Sequence, residues 1–354
     1  MRDVAIVATA QAPSSVGTTL TVPELMIPIF ADLFGTVEDR GVKHADIDFW
    51  CHGSCDYLSG QSFSFVNAVD AIGAWPPIVE SHVEADGAFA LHEAWVKIQT
   101  GEADTAVVFG NGKNSTSPIE QVMALQMDPY SEAPLFPGLT AVAALQSRAC
   151  LEAGVFTERE MAEVVVRSRR DAIGNPLAVV RGEHDVEELL AEPMSADPLR
   201  AHDCPPVTDG ANAVILAADD TACRWSDRPA WIRGVDHRID PQRLGARSLI
   251  ESASAAAAAV KAGLGSIGPL DIAELHAPFS HQELILRRSM GISGNVVINP
   301  SGGALCANPW MAAGLARIIE VADRIHTGAA DRGLAHCTSG PALQQNLVVI
   351  LEGA

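Results

Sequence analysis

The chain is expected to be an α/β protein of two similar halves in a layered αβαβα arrangement. Its length, its composition and the alternation of short apolar runs with longer helical patterns point there. At 354 residues it is long enough for two cores of ordinary size. Apolar residues make up 48% of it and aromatics only 5%, so Ala, Gly and Val dominate the interior. Small side chains of that kind suit closely packed helix and sheet layers.

The apolar runs are Asp3 to Thr9, Thr105 to Gly110, Ala211 to Leu216, Asn295 to Asn299 and Asn346 to Leu351. Each is short and rich in branched residues, as buried strands are. Between them, helical periodicity covers roughly 87 to 100, 159 to 172, 251 to 264 and 310 to 324. The segment 225 to 248, with its Trp, Pro and Arg residues, reads as the seam between the halves. The boundaries are therefore set at 1–228 and 229–354. No internal duplication is visible in the residues themselves.

A formal net charge of −20 without a Lys or Arg run argues against nucleic acid and anionic membrane surfaces as partners. No apolar segment reaches the length of a bilayer span and no charged leader opens the chain, so a cytoplasmic protein is expected. The seven cysteines are scattered and odd in number, which favours free thiols. Cys51 and Cys55 flank His52, but no second pair follows at finger-like spacing, and no metal site is expected.

Four stretches occur in a telling order: Val83-Glu-Ala-Asp-Gly-Ala-Phe-Ala-Leu91, Pro206-Val-Thr-Asp-Gly-Ala-Asn-Ala213, Asp271-Ile-Ala-Glu-Leu-His-Ala-Pro-Phe-Ser280 and Asn299-Pro-Ser-Gly-Gly-Ala-Leu-Cys-Ala-Asn-Pro309. As a set they resemble the thiolase superfamily. The His form of the third stretch and the segment Glu158 to Pro176 look most like sterol-carrier-protein thiolases and bacterial lipid-transfer proteins. The resemblance implies a fold built around an acyl-coenzyme A thioester, with no cofactor beyond the coenzyme A of the substrate.

It also implies where the reacting groups should lie, and here the chain departs from the family. A thiolase keeps a nucleophilic cysteine at a helix N-terminus, and alignment on Gly87 and Leu91 puts Glu84 in its place. The histidine of the Gly-His-Pro motif is Asn308. An amide can hydrogen-bond a developing oxyanion but cannot take up a proton. The candidate catalytic residues are His276, Asn308, Glu84, Cys337 and His336. Gly302, Gly303, Cys306, Phe279 and Gly340 are the candidate substrate-binding residues. Arg167, Arg169, Arg170, Arg181, Arg243 and Arg247 are candidates for the phosphates of coenzyme A.

By resemblance this inventory fits aldol or retro-aldol cleavage of a β-hydroxyacyl-CoA, with a steroid side-chain thioester as the expected substrate. A noncatalytic thiolase-fold subunit beside an active paralogue is the alternative, and an acyl-CoA thiolase or acyltransferase is third. The resemblance further implies a homodimer or a heterodimer with a thiolase-like paralogue, and a zinc-ribbon, OB-fold partner protein.

Overall fold

The structure is a computed structural model that describes residues 2–135 and 137–353. The first half contributes strands β1 (Val4–Gln11), β2 (Phe49–Ser54), β3 (Glu80–Glu84) and β4 (Thr105–Lys113), the short hairpin pair β5 (Met194–Ala196) and β6 (Leu199–Arg200), and β7 (Asp209–Ala218). The second contributes β8 (Ala230–Ile239), β9 (Ile272–Leu275), β10 (Val297–Ile298), β11 (Arg332–Ser339) and β12 (Gln345–Glu352). Ten of these form one sheet in the order β10-β9-β11-β12-β8-β1-β7-β4-β2-β3.

The two halves of that sheet have the same design. From its outer edge inward, β3-β2-β4-β7-β1 in one half answers β10-β9-β11-β12-β8 in the other. In each, the three outer strands run parallel and the two inner ones antiparallel. The duplication, invisible in the residues, is thus plain in the topology. The halves meet where Ala5 and Ile6 of β1 pair with Trp231 and Ala230 of β8.

The helices are α1 (Val22–Thr36), α2 (Asp56–Ser59), α3 (Val66–Ile72), α4 (Gly87–Gln99), α5 (Ile119–Leu125), α6 (Leu139–Glu152), α7 (Glu158–Asp171), α8 (Val186–Ala191), α9 (Asp219–Trp225), α10 (Ala253–Lys261), α11 (Ser280–Met290) and α12 (Ala313–His326). Strand alternation sends Val4 and Ile6 of β1 into a core shared with α4, α12 and the second half-sheet, while Ala5 and Val7 face α1. Ala273, Leu334 and Ile350 face the helices α10 and α11. Both faces of the strands are therefore buried, which explains runs that are apolar throughout. The layers are α1 with α3, one half-sheet, α4 with α12, the other half-sheet, and α10 with α11. No helix among the described residues is long and apolar enough to cross a membrane.

One expectation needs correction. The segment 225 to 248, read as an irregular seam, contains the ten-residue strand β8. Its inward and outward residues do not alternate cleanly along its length, because only Ala230 and Ile232 of its apolar residues are buried. Pairing with β1 and β12, and not its own pattern, makes it a strand.

A buried ion pair pins the start of α12 to β9. Glu274 accepts from Arg317 Nη1 at 2.7 Å, from Ser301 Oγ at 2.8 Å and from the Ser301 backbone N–H at 2.9 Å. Both charged residues are buried. Removing one partner strands the other charge in the interior, so Glu274→Ala is expected to lose about 3–5 kcal/mol. Denaturant unfolding measures this, and a loss below about 1 kcal/mol would contradict the assignment.

Candidate functional site

The equivalent helices of the two halves, α4 and α12, bring their N-termini together at Asp86. Asp86 is the N-cap of α4: its Oδ1 accepts from the Ala88 N–H at 2.9 Å. The same oxygen accepts from the Leu315 N–H at 2.9 Å, and Oδ2 accepts from the Gly314 N–H at 2.9 Å. One carboxylate thus satisfies orphan donors of two helices and sits at the positive end of both dipoles. The approach needs Gly314, where a Cβ would meet Cys337 Sγ at 2.0 Å and Asp86 Oδ1 at 2.6 Å. Burial pushes the Asp86 carboxyl up, against the downward pull of its three backbone donors and the Cys337 thiol.

Across from Asp86 lies a hydrogen-bond relay whose direction follows from its backbone end. The Thr338 N–H points at His276 Nδ1 at 3.4 Å, so that nitrogen must carry the lone pair. The ring proton therefore sits on Nε2 and is donated to Asn308 Oδ1 at 3.0 Å. Asn308 in turn is left with an unpartnered Nδ2 amide group, although the residue is fully buried. A buried amide donor without an acceptor is costly unless a ligand supplies one. Burial pushes His276 down to about 4, so the ring is neutral at physiological pH. The Cys337 thiol stands 3.8 Å from His276 Nδ1 and is held protonated by burial beside Asp86.

Asp86, His276 and Asn308 line one cavity, whose remaining walls are mainly apolar and include Val122, Met123, Phe279, Trp310 and Leu343. Its floor is the loop from Gly340 to Leu343, in which Ala342 and Leu343 both adopt left-handed backbone (φ 51° and 59°). Non-glycine residues seldom do so without surrounding constraint. Arg247 supplies part of it by donating to the carbonyls of Ala342 and Pro341 at 2.8 and 2.6 Å.

No protein-family model matches the chain. An acetyl-CoA acetyltransferase of Methanothermobacter thermautotrophicus is 28% identical over 91% of this chain and 90% of its own length. The benzoylsuccinyl-CoA thiolase subunit BbsB of Thauera aromatica is 27% identical over 68% of each. Bovine sterol carrier protein 2 is 24% identical over 80% of this chain, which spans 59% of that longer protein. Among solved structures, an Ltp2-ChsH2(DUF35) aldolase superposes with a TM-score of 0.81 at 17% identity, covering 99% of this chain and 97% of that one. Human mitochondrial 3-ketoacyl-CoA thiolase gives 0.80 at 18%, covering 100% and 99%. The chain has the thiolase fold.

Within the thiolase fold the sequence-derived site divides in two. His276, Asn308, Phe279 and Gly340 line the cavity, and Cys337 lies against His276. Glu84 does not. It ends β3, is exposed, and accepts the Asp56 N–H at 2.8 Å. The carboxylate at the helix N-terminus, and the one that lines the cavity, is Asp86, two positions on. An Asp immediately before a Gly that opens an apolar-periodic helix is an N-cap signal, and it could have found Asp86.

His336 also lies away from the cavity. It neighbours Cys337 on β11, and strand alternation turns it to the opposite face, where its Nε2 meets Asn346 Oδ1 at 2.8 Å. Gly302, Gly303 and Cys306 belong to a packed turn. A Cβ on Gly302 (φ 93°) would meet the Ala172 Cβ at 2.6 Å, and Cys306 Sγ lies 3.4 Å from the Ser168 carbonyl. Of the candidate phosphate ligands, Arg167, Arg170 and Arg243 pair with Glu283, Asp171 and Asp128. None of the six lines the cavity.

Proposed function

We propose that the chain is a carbon–carbon lyase of thiolase fold that cleaves a β-hydroxyacyl-CoA, with a steroid side-chain thioester as substrate. The observation that carries this reading is the pairing of the Asp86 carboxylate with the unpartnered Asn308 amide donor in one apolar cavity. Thiolysis needs a nucleophilic thiolate, and a carboxylate stands at the junction of helix N-termini where one would be held. Retro-aldol cleavage needs no covalent intermediate. It needs a base for the β-hydroxyl proton and a donor for the enolate oxygen.

In this scheme Asp86 takes the β-hydroxyl proton and the Cα–Cβ bond breaks. The hydroxyl carbon leaves as a ketone or aldehyde, and the electron pair moves through Cα to the thioester oxygen, which accepts from Asn308 Nδ2. Return of the proton to Cα gives the shortened acyl-CoA. His276, with both ring nitrogens engaged, orients Asn308 and does not exchange protons. The aldolase among the structural neighbours supports this reading, and the names of the relatives support thioester binding.

Incubation with a β-hydroxyacyl steroid-CoA, alone and beside genomic-neighbour proteins, should give a ketone and a shortened acyl-CoA without free coenzyme A by mass spectrometry. Asn308→Asp keeps the acceptor for His276 but removes the donor, and is expected to slow turnover about 10²–10³-fold with the fold intact. Unchanged turnover in that variant sinks the oxyanion assignment.

A second reading is favoured by the engagement of His276 at both nitrogens and by the protonated Cys337. On it, the chain is a noncatalytic subunit of a heterodimer with a thiolase-like paralogue. The names BbsB subunit and Ltp2-ChsH2(DUF35) support partnering as such, and the resemblance of the sequence adds a zinc-ribbon OB-fold protein as the proposed partner. Absence of product under every pairing would select it.

A further inference from the structure

We propose that Trp310 is the specificity-determining side chain of this site, the largest member of a wall that sets how long an acyl chain the inner cavity accepts. Behind the cavity that holds Asp86 and Asn308 lies a second, outer groove between α5, α6 and the segment 204 to 207. The two share three lining residues: Leu139, Phe279 and Trp310. The inner cavity is mostly apolar. The outer groove carries Asn114, Ser115, Ser117, Glu120 and Thr140 and is open to polar ligand atoms.

Phe279 is buried and its backbone N–H donates to Gln282 Oε1 at 3.2 Å, and the backbone N–H of the half-buried Leu139 donates to Glu120 Oε2 at 2.8 Å. The main chain of Trp310 is held as well. Its carbonyl lies 2.0 Å from where a Cβ on Gly112 would stand, and the Met311 carbonyl accepts the Gly87 N–H at 2.9 Å with Met311 in left-handed backbone (φ 68°). The indole itself is only partly buried. Trimming it therefore opens the inner cavity into the groove without moving the backbone that carries Asn308.

That the chain occupying the inner cavity is an acyl group rests on the function proposed above, so the test uses two ligand series. Linear primary alcohols probe the wall alone, and saturated acyl-CoA thioesters of matching lengths probe it together with thioester binding. Calorimetric affinity in the unsubstituted chain should rise about four-fold per methylene up to a cut-off length and then level. In Trp310→Ala, and in Trp310→Leu should the alanine variant fold poorly, the rise should continue past that cut-off. Binding of longer ligands should then improve by about ten-fold or more, with short ones unchanged. Trp310→Phe should restore the original cut-off within about one carbon.

A cut-off that does not move, or an equal change at every length, overturns the assignment. A cut-off that moves for alcohols while no thioester binds leaves the wall standing and removes the acyl-CoA reading.

Discussion

Asp86→Asn is expected to lower turnover on a β-hydroxyacyl-CoA about 10²–10⁴-fold and to destabilise the fold by about 2 kcal/mol. The two effects have separate origins. Turnover falls because an amide cannot accept the β-hydroxyl proton. Stability falls because the carboxylate accepts from Ala88, Leu315 and Gly314, whereas an amide has one accepting atom and turns an N–H group toward a backbone donor. Burial pushes the Asp86 carboxyl up, so the acid limb of the rate profile should lie above the ordinary aspartate range and disappear in the variant. Assays well below the lowered melting midpoint keep the effects apart. A variant that melts earlier yet turns over normally would leave Asp86 a purely structural cap and pass the base role elsewhere.

The degree to which such a site can be read in advance depends on whether each residue's role is local. His276, Asn308 and Phe279 lay within recognisable runs, and the structure brings all three to one cavity. Strand patterns such as 105 to 110 and 346 to 351 were legible because burial on both faces leaves an unbroken apolar run. β8 was not, since its partners and not its pattern make it a strand. Glu84 and Asp86 show a finer limit. The chain turns from strand to helix at Ala85, and which carboxylate enters the cavity depends on α12, whose N-terminus arrives from more than 200 residues away. His336 fell to alternation: adjacent to Cys337 in the chain, it faces a different layer. Trp310 carried no motif at all, and only the clamp on Gly112 and its place between two cavities distinguish it.

Acidification should destabilise the protein below about pH 6.5 through its buried histidines, partly offset by Asp86, Glu274 and Asp323, whose raised carboxyls bind protons in the folded state first. His276 is pushed down to about 4, and His52, His281 and His336 to about 3, in each case chiefly by burial. Each is a neutral ring bonded to one side-chain amide, Asn308, Asn111, Gln146 and Asn346 respectively, and His276 also to the Thr338 N–H. In the unfolded chain these rings bind protons as pH falls through about 6.5, while the folded chain leaves them neutral until near 4 or 3. The unfolded state therefore holds more protons throughout that window, and stability rises with pH across it. Each histidine contributes a slope approaching about 1.4 kcal/mol per pH unit once below its unfolded value. Denaturant midpoints at steps from pH 7.5 to 4.5 should fall accordingly, and His336→Gln, which replaces a ring outside the cavity, should flatten the fall by about one quarter of the histidine slope. A pH dependence that His336→Gln leaves unchanged would mean that these rings keep solvent access in the folded state. Their neutrality, and with it the acceptance of the Thr338 N–H by His276 Nδ1, would then have to be abandoned.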